Sequence, residues 1–233
     1  RNAMDAALIE RLTREMEAQF ARPGEPAGFP KFHDISVDRY ITDEFYELER
    51  KHLWSKVWVM AGRAEDIPNP GDYFTFGDLK VPIVIVRGND MKVRAFYNTC
   101  QHRGAPVVRD KMGCANQLRC QYHGWVYSID NGSLVSIPDE RDFIGFCRED
   151  KFLTTISCDV WQGWVFVNQD PNAASLQEWF GVPFAQMEEL AGEELRAVGP
   201  RSMTIPCNWK VTAEAFFEVY HFKFIHDRGG WSA

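Results

Sequence analysis

Two short motifs constrain this chain more than any other part of it: Cys100-Gln101-His102 and Cys120-Gln121-Tyr122-His123, with seventeen residues between His102 and Cys120. The 233 residues hold six cysteines and six histidines. Four matches at one fixed spacing arise by accident in roughly one such chain in ten thousand. Each motif follows a predicted strand, Lys92 to Asn98 and Gln117 to Cys120, so the chain presents one Cys and one His from each of two strand-end loops. Disulfides are a poor account of the cysteines, because the disulfide-dense secreted class is smaller and carries a signal peptide. Here Arg1-Asn2-Ala3-Met4 is followed by charged Glu10, Arg11, Arg14, Glu15 and Glu17 and not by an apolar stretch. No export signal is expected, and the expected location is the reducing cytoplasm.

A single Cys or His is ordinarily a core thiol or a satisfied histidine. Four together need chemistry. Two loops that each present a Cys and a His can place two thiolates on one iron and two imidazoles on the other, as in a Rieske-type 2Fe-2S centre. Neutral imidazoles in place of thiolates lower the negative charge of the cluster and raise its reduction potential. Tetrahedral zinc is the rival occupant, although zinc modules usually pair Cys with Cys and His with His, and Cys-x-His is an unusual zinc spacing.

Around these loops the chain reads as three stretches. Asp5 to Phe20 forms a helix with Leu8, Ile9, Leu12 and Met16 on one side, followed by a Pro/Gly linker from Glu25 to Pro30. A second helix starts at the N-cap Thr42 and runs to about Ser55. From Val57 short β-branched and aromatic runs alternate with turn signals: Val57 to Ala61, Tyr73 to Phe76, Val81 to Arg87, Lys92 to Asn98, Gln117 to Cys120, Trp125 to Ile129, Leu134 to Ser136, Phe152 to Ser157 and Gly163 to Asn168. That density predicts an antiparallel sandwich or small barrel. After Asp170-Pro171-Asn172 a helical pattern returns through Leu176, Trp179, Phe180, Phe184, Met187 and Leu190. The expected organisation is a helical arm over residues 1–56, a β domain over 57–170, and the beginning of a further domain over 171–233. The balance of 26 basic against 33 acidic residues, net −7, contains no block of like charges, so no nucleic-acid partner is expected. Apolar runs such as Val81 to Val86 are strand-sized, so no membrane partner is expected either.

A second constellation lies in the last predicted helix, from Asn208-Trp209-Lys210 through Glu214, Glu218 and His221 to His226. At about 100° per residue, Glu218 and His221 stand about 60° apart, but His221 and His226 stand about 140° apart. A π-bulge or a helix end between the histidines is needed to converge them. Two histidines and a carboxylate form the facial triad of non-heme Fe(II) oxygenases. Alone, His-x4-His is a weak motif.

Cys100-Gln101-His102-Arg103-Gly104-Ala105, followed by Cys120-Gln121-Tyr122-His123-Gly124-Trp125-Val126-Tyr127, resembles the Rieske signature of the large (alpha) subunit of Rieske non-heme iron oxygenases, the aromatic-ring-hydroxylating type. The likeness extends from about Phe45 through Asn168, and Glu218-x2-His221-x4-His226 resembles the family's iron-binding segment. The resemblance implies an α+β chain, with an all-β antiparallel Rieske domain followed by the start of an α+β catalytic domain. It implies a 2Fe-2S cluster on Cys100, His102, Cys120 and His123, a mononuclear Fe(II) on His221 and His226, and Glu218 as an electron relay between subunits. It also implies a terminal oxygenase, a dioxygenase or monooxygenase of the kind found in aromatic hydrocarbon catabolism. Such an enzyme takes NAD(P)H electrons from a reductase, with or without a ferredoxin, and uses O2 to hydroxylate a small apolar, often aromatic, substrate. A homotrimer, with or without a beta subunit, is the implied assembly.

Three departures stand out. Gln121 occupies a position where many relatives have Pro, and Glu218 one where they usually have Asp. The third iron-ligating carboxylate, far downstream in the family, has no counterpart, since Asp227 is the only later acid and lies too close. The sequence reads as the front half of such a subunit. Two other readings stay open: a Rieske-type electron carrier, which would have no use for a second metal site, and a zinc-stabilised β module that binds a partner. Gly104 and Gly124 are read as positions of close approach or positive φ. Trp125 and Tyr127 are read as cluster shields or plain core aromatics. Surface or packing roles are expected for His33 and His52, and packing roles for Cys114, Cys147, Cys158 and Cys207, with Cys114 the most exposed thiol.

Overall fold

The computed structural model describes residues 5–25, 28–199, 202–218 and 220–226. The chain divides into two compact units at Val37/Asp38. In the first, helix α1 (Ala6–Ala21) is capped by Asp5, whose carboxylate accepts from the Ala7 N–H at 2.9 Å. No residue of α1 is buried. The second unit begins with α2 (Asp38–Ile41) and α3 (Asp43–Glu49). Thr42 caps α3 as the sequence predicts, its hydroxyl accepting from the Phe45 N–H at 3.3 Å. The helix does run on to Ser55, but its last turn, Arg50–Trp54, is a π-helix.

The strands are β1 (Val59–Arg63), β2 (Asp72–Phe76), β3 (Ile83–Arg87), β4 (Val93–Tyr97), β5 (Met112–Cys114), β6 (Gln117–Arg119), β7 (Val126–Ser128), β8 (Leu134–Ser136), β9 (Thr155–Trp161) and β10 (Trp164–Asn168). All pairings are antiparallel. A seven-stranded sheet has the order β1-β10-β9-β4-β3-β2-β5, and β6-β7-β8 form a separate three-stranded sheet. Two strands differ from the sequence expectation. β5 occupies what reads as a loop, because its three exposed residues carry no apolar alternation. β9 runs to Trp161 and closes on β10 through Gln162 and Gly163, both at positive φ, a two-residue hairpin turn that matches the strand twist.

The large sheet has an apolar layer on each face. Ile83 and Ile85 join Ile67, Phe74, Phe76, Ala95, Ile156, Val165 and Val167 on one side. On the other, Val84, Val86, Tyr73 and Phe96 meet the three-stranded sheet through Leu118, Trp125, Tyr127, Ile129 and Leu134. A strand covered on both faces needs an unbroken apolar run, and Ile83, Val84, Ile85 and Val86 are each 0% exposed. Burial of each such side chain contributes about 1.5–3 kcal/mol.

Beyond β10 come α4 (Leu176–Phe180), started by a Ser175/Glu178 capping box, and α5 (Val182–Met187). They bring Leu176, Phe180 and Phe184 against Trp161 and Phe166. The single helix expected from Asn208 to His226 is two: α6 (Trp209–Phe217) and α7 (Phe222–Ile225). Cys114 is exposed, as its loop position suggests, but Cys147 and Cys207 are exposed too, so packing does not hold for these three; Cys147 Sγ donates to Glu149 and Cys207 Sγ lies 3.3 Å from the Thr212 hydroxyl. Among the described residues no helix is long and apolar enough to cross a membrane.

Candidate metal centres

The two Cys/His loops share one backbone design. The Cys100 N–H donates to Ala105 O at 2.8 Å and Gly104 N–H donates to Cys100 O at 2.9 Å; Cys120 to Trp125 and Gly124 to Cys120 repeat these bonds at 2.8 and 2.9 Å. Gly104 and Gly124 both sit at φ +73°, the left-handed conformation that lets each loop turn back within four residues. The loops are therefore equal in length from Cys to Gly, and only the histidine's slot differs. That equality is written in the sequence as Cys-x3-Gly twice.

At the heart of the site the two cysteines are buried side by side. Burial pushes the Cys100 thiol above its ordinary pKa, neighbouring Cys120 adds to this, and the Tyr127 hydroxyl opposes it. Tyr127 Oη lies 3.2 Å from Cys100 Sγ and accepts from the Gln101 N–H at 3.0 Å; toward a Cys100 thiolate, which has no proton, the phenol is the donor. The imidazoles form a second pair, the rings of His102 and His123 being 4.6 Å apart. His102 stacks on Trp125 at 4.9 Å and 7°, and Trp125 packs edge-on against Phe146. Burial first, then His123 and Arg103, lower the pKa of His102. Its Nδ1 is buried without a hydrogen-bond partner. Such an atom costs about 1–3 kcal/mol unless something takes its lone pair. Two adjoining thiols, two adjoining imidazoles and an orphaned ring nitrogen fit a two-iron cluster with one iron on each pair; iron would also stabilise the Cys100 thiolate that burial alone disfavours.

Sequence reasoning missed the residue that fixes the first loop. Asn98, buried, accepts from the N–H groups of Val107 and Val108 at 2.8 and 3.0 Å and donates to Val108 O at 2.8 Å, tying the loop's entrance to its exit. Its only sequence signal is an amide at a strand end two residues before a motif cysteine.

At the second constellation the helix breaks where the side chains are needed. Glu218 is extended (φ −121°, ψ 154°), and its Oε2 accepts from the N–H of Tyr220 and, at 3.2 Å, of His221. Its Oε1 contacts His221 Nδ1, and this partner holds the Glu218 carboxyl below its ordinary pKa. His221 and His226 flank α7, and their rings lie 5.4 Å apart, with the Phe222 ring edge-on to both at 4.9 and 5.1 Å. The helix end demanded by the spacing is thus present, at Ile225, while the π-turn occurs elsewhere. Glu218 reaches His221 from an extended residue and not along one helical face. Among the described residues no three His, Cys, Asp or Glu side chains gather at one point to hold a metal ion, and Asp227 lies outside the described residues.

Residues 57–157 match the family described as the Rieske 2Fe-2S domain, and residues 192–231 match the ring hydroxylating alpha subunit, catalytic domain. The 2-aminobenzenesulfonate 2,3-dioxygenase subunit alpha of Alcaligenes sp is 33% identical over 212 residues, covering 90% of this chain and 53% of that protein. A benzene 1,2-dioxygenase subunit alpha of Pseudomonas putida is 34% identical over 217 residues, covering 90% and 46%. The chain belongs to the Rieske non-heme iron oxygenase alpha-subunit family. A quaternary ammonium Rieske monooxygenase crystallised with L-carnitine superposes on this chain with a TM-score of 0.77 at 27% identity, over 84% of this chain and 56% of that one. The chain spans about half the length of the curated relatives it matches. It carries the Rieske domain and the start of the catalytic domain, the order in which the two constellations appear.

Proposed function

We propose that the full-length protein is a terminal oxygenase component, with Cys100, Cys120, His102 and His123 holding the 2Fe-2S cluster and His221 and His226 holding a mononuclear Fe(II). When bound, these groups supply one-electron transfer and dioxygen activation for hydroxylating a small apolar, often aromatic, substrate. The observation that carries the reading is the pairing in the twin loops: thiol with thiol, imidazole with imidazole, and His102 Nδ1 buried without a partner. This chain's residues hold and shield those groups. Trp125 and Phe146 cover the His102 face, Tyr127 donates toward Cys100, and Glu218 orients His221 through Nδ1, which leaves Nε2 for metal. In the assembly Glu218 serves as the link between the cluster of one subunit and the iron of the next. Electrons come from NAD(P)H through a reductase, with or without a ferredoxin, and the assembly is a homotrimer, with or without a beta subunit.

The test uses the full-length protein. His102→Ala or Cys120→Ser is expected to abolish the reducible visible spectrum. His221→Ala should keep that spectrum and its reduction while losing mononuclear iron and turnover. Glu218→Gln should retain both metals but slow cluster reoxidation by substrate and O2 in single turnover. A full Rieske spectrum in His102→Ala would overturn the ligand assignment, and unchanged reoxidation in Glu218→Gln would remove the relay.

A further inference from the structure

Helix α6 is anchored by residues far earlier in the chain, from Tyr40 to Trp54. Lys210 Nζ lies 2.6 Å from Glu49 Oε1, with the ammonium side chain 14% exposed and the carboxylate side chain 7%. The other Glu49 oxygen accepts from Trp209 Nε1 at 3.3 Å, and the Trp209 ring packs edge-on against Trp54 at 4.9 Å. Lys210 also lies over the rings of Phe45 and Tyr40 at 5.2 and 5.4 Å. The Tyr40 hydroxyl donates to Glu214 at 2.8 Å, and Asn208 Nδ2 donates to Tyr40 O at 3.1 Å. Every one of these partners belongs to the α2, α3 and π-turn segment that precedes the β framework.

A buried ion pair is a weak source of stability, because desolvation offsets the attraction; its best-attested use is to fix one register among several. Register is what α6 has to transmit. From Lys210 to Phe217 it rises about 10 Å, so a tilt of about 10° at Lys210 displaces its far end by about 2 Å. Metal sites tolerate errors of only about 0.5 Å. Glu218 follows directly on that far end, and His221 hangs on Glu218. Apolar packing alone would let α6 slide or roll, whereas the Glu49 carboxylate accepts from two consecutive residues, Trp209 and Lys210, and so sets both depth and rotation.

We propose that Glu49 and Lys210 are positioning residues for the iron site: the segment ahead of the Rieske domain sets the register of the helix that leads into Glu218 and His221. This rests on the reading of His221 and His226 as iron ligands. The test compares the full-length protein with Glu49→Gln, Lys210→Met, the double variant and His221→Ala. Fe(II) affinity is read by chelator competition, thermal stability by calorimetry, and α6 mobility by amide exchange. Both single variants should keep the cluster spectrum and its reduction by dithionite, lose about tenfold in Fe(II) affinity and exchange faster across α6. The double variant, with no charge left unpaired, should regain stability but not iron affinity. That split separates positioning from plain structural support, and the double variant decides alone if the singles fail to fold. Wild-type affinity in the variants, or affinity that recovers together with stability, would overturn the proposal. Iron binding that persists in His221→Ala would instead overturn the iron-site reading on which it rests.

Discussion

At Cys100, the tuning of the proposed cluster comes down to one proton. A Cys100 thiolate has no proton to give, so between it and Tyr127 Oη, which also accepts from the Gln101 N–H, the phenol is the donor. A donor to a ligand sulfur stabilises the more negative, reduced state. Tyr127→Phe should therefore leave the cluster assembled and lower its midpoint potential by about 40 mV, the equivalent of about 1 kcal/mol in a one-electron couple. Redox titration of the visible bands checks this, and a raised potential would show that the phenol does not donate to sulfur. Trp125 and Tyr127, ambiguous in sequence between shield and core, are both in contact with proposed ligands: one stacks on His102, the other bonds toward Cys100. Periodicity cannot distinguish these roles, since a core aromatic and a ligand-facing one occupy the same inward positions of a strand.

Among the elements, the twin loops differ in how much room their glycines have. A Cβ on Gly104 would find only Thr99 Cγ2, at 4.0 Å, whereas one on Gly124 would lie 3.1 Å from Pro138 Cγ. Both sit at positive φ, so either Gly→Ala change costs about 1–2 kcal/mol of backbone strain, and Gly124→Ala must in addition displace the proline. Denaturant unfolding should rank Gly124→Ala as the more destabilising; the reverse order would mean that the loop responds to strain alone. The glycines were legible because only a tight return explains them beside the motif residues. So were the Thr42 cap and nearly all strands, because a short polar side chain before a helix and β-branched runs between turns are local signals. β5 was not, because Met112, Gly113 and Cys114 pair with β2 without burying anything. Nor was the break after Phe217. Glutamate favours helix, and Glu218 ends one only because its own carboxylate takes the Tyr220 and His221 N–H groups.

Across the whole second unit, residue 192 onward is tied to the β framework through Arg63. This buried guanidinium stacks on Trp164 at 4.6 Å and donates to Gln162 O, Gly192 O and Leu195 O at 3.2, 3.2 and 2.7 Å. Arg63→Ala removes three hydrogen bonds, leaving Gly192 O only the Leu195 N–H and Leu195 O only the Arg196 guanidinium, and should cost about 2–4 kcal/mol in denaturant unfolding, with the visible spectrum retained. Metal has a larger reach: because the donors converge only in the folded state, removing iron with a chelator should lower the melting temperature of the β framework far more than any one of these substitutions. The central claim is that Cys100, His102, Cys120 and His123 together hold a Rieske cluster. Its most direct test is to assay iron and acid-labile sulfide in the purified protein alongside its visible spectrum before and after dithionite. Ligation by these four residues gives a red-brown protein that bleaches on reduction, carries two sulfides for each cluster, and loses both colour and sulfide in His102→Ala. A colourless protein holding zinc at these four residues would contradict it.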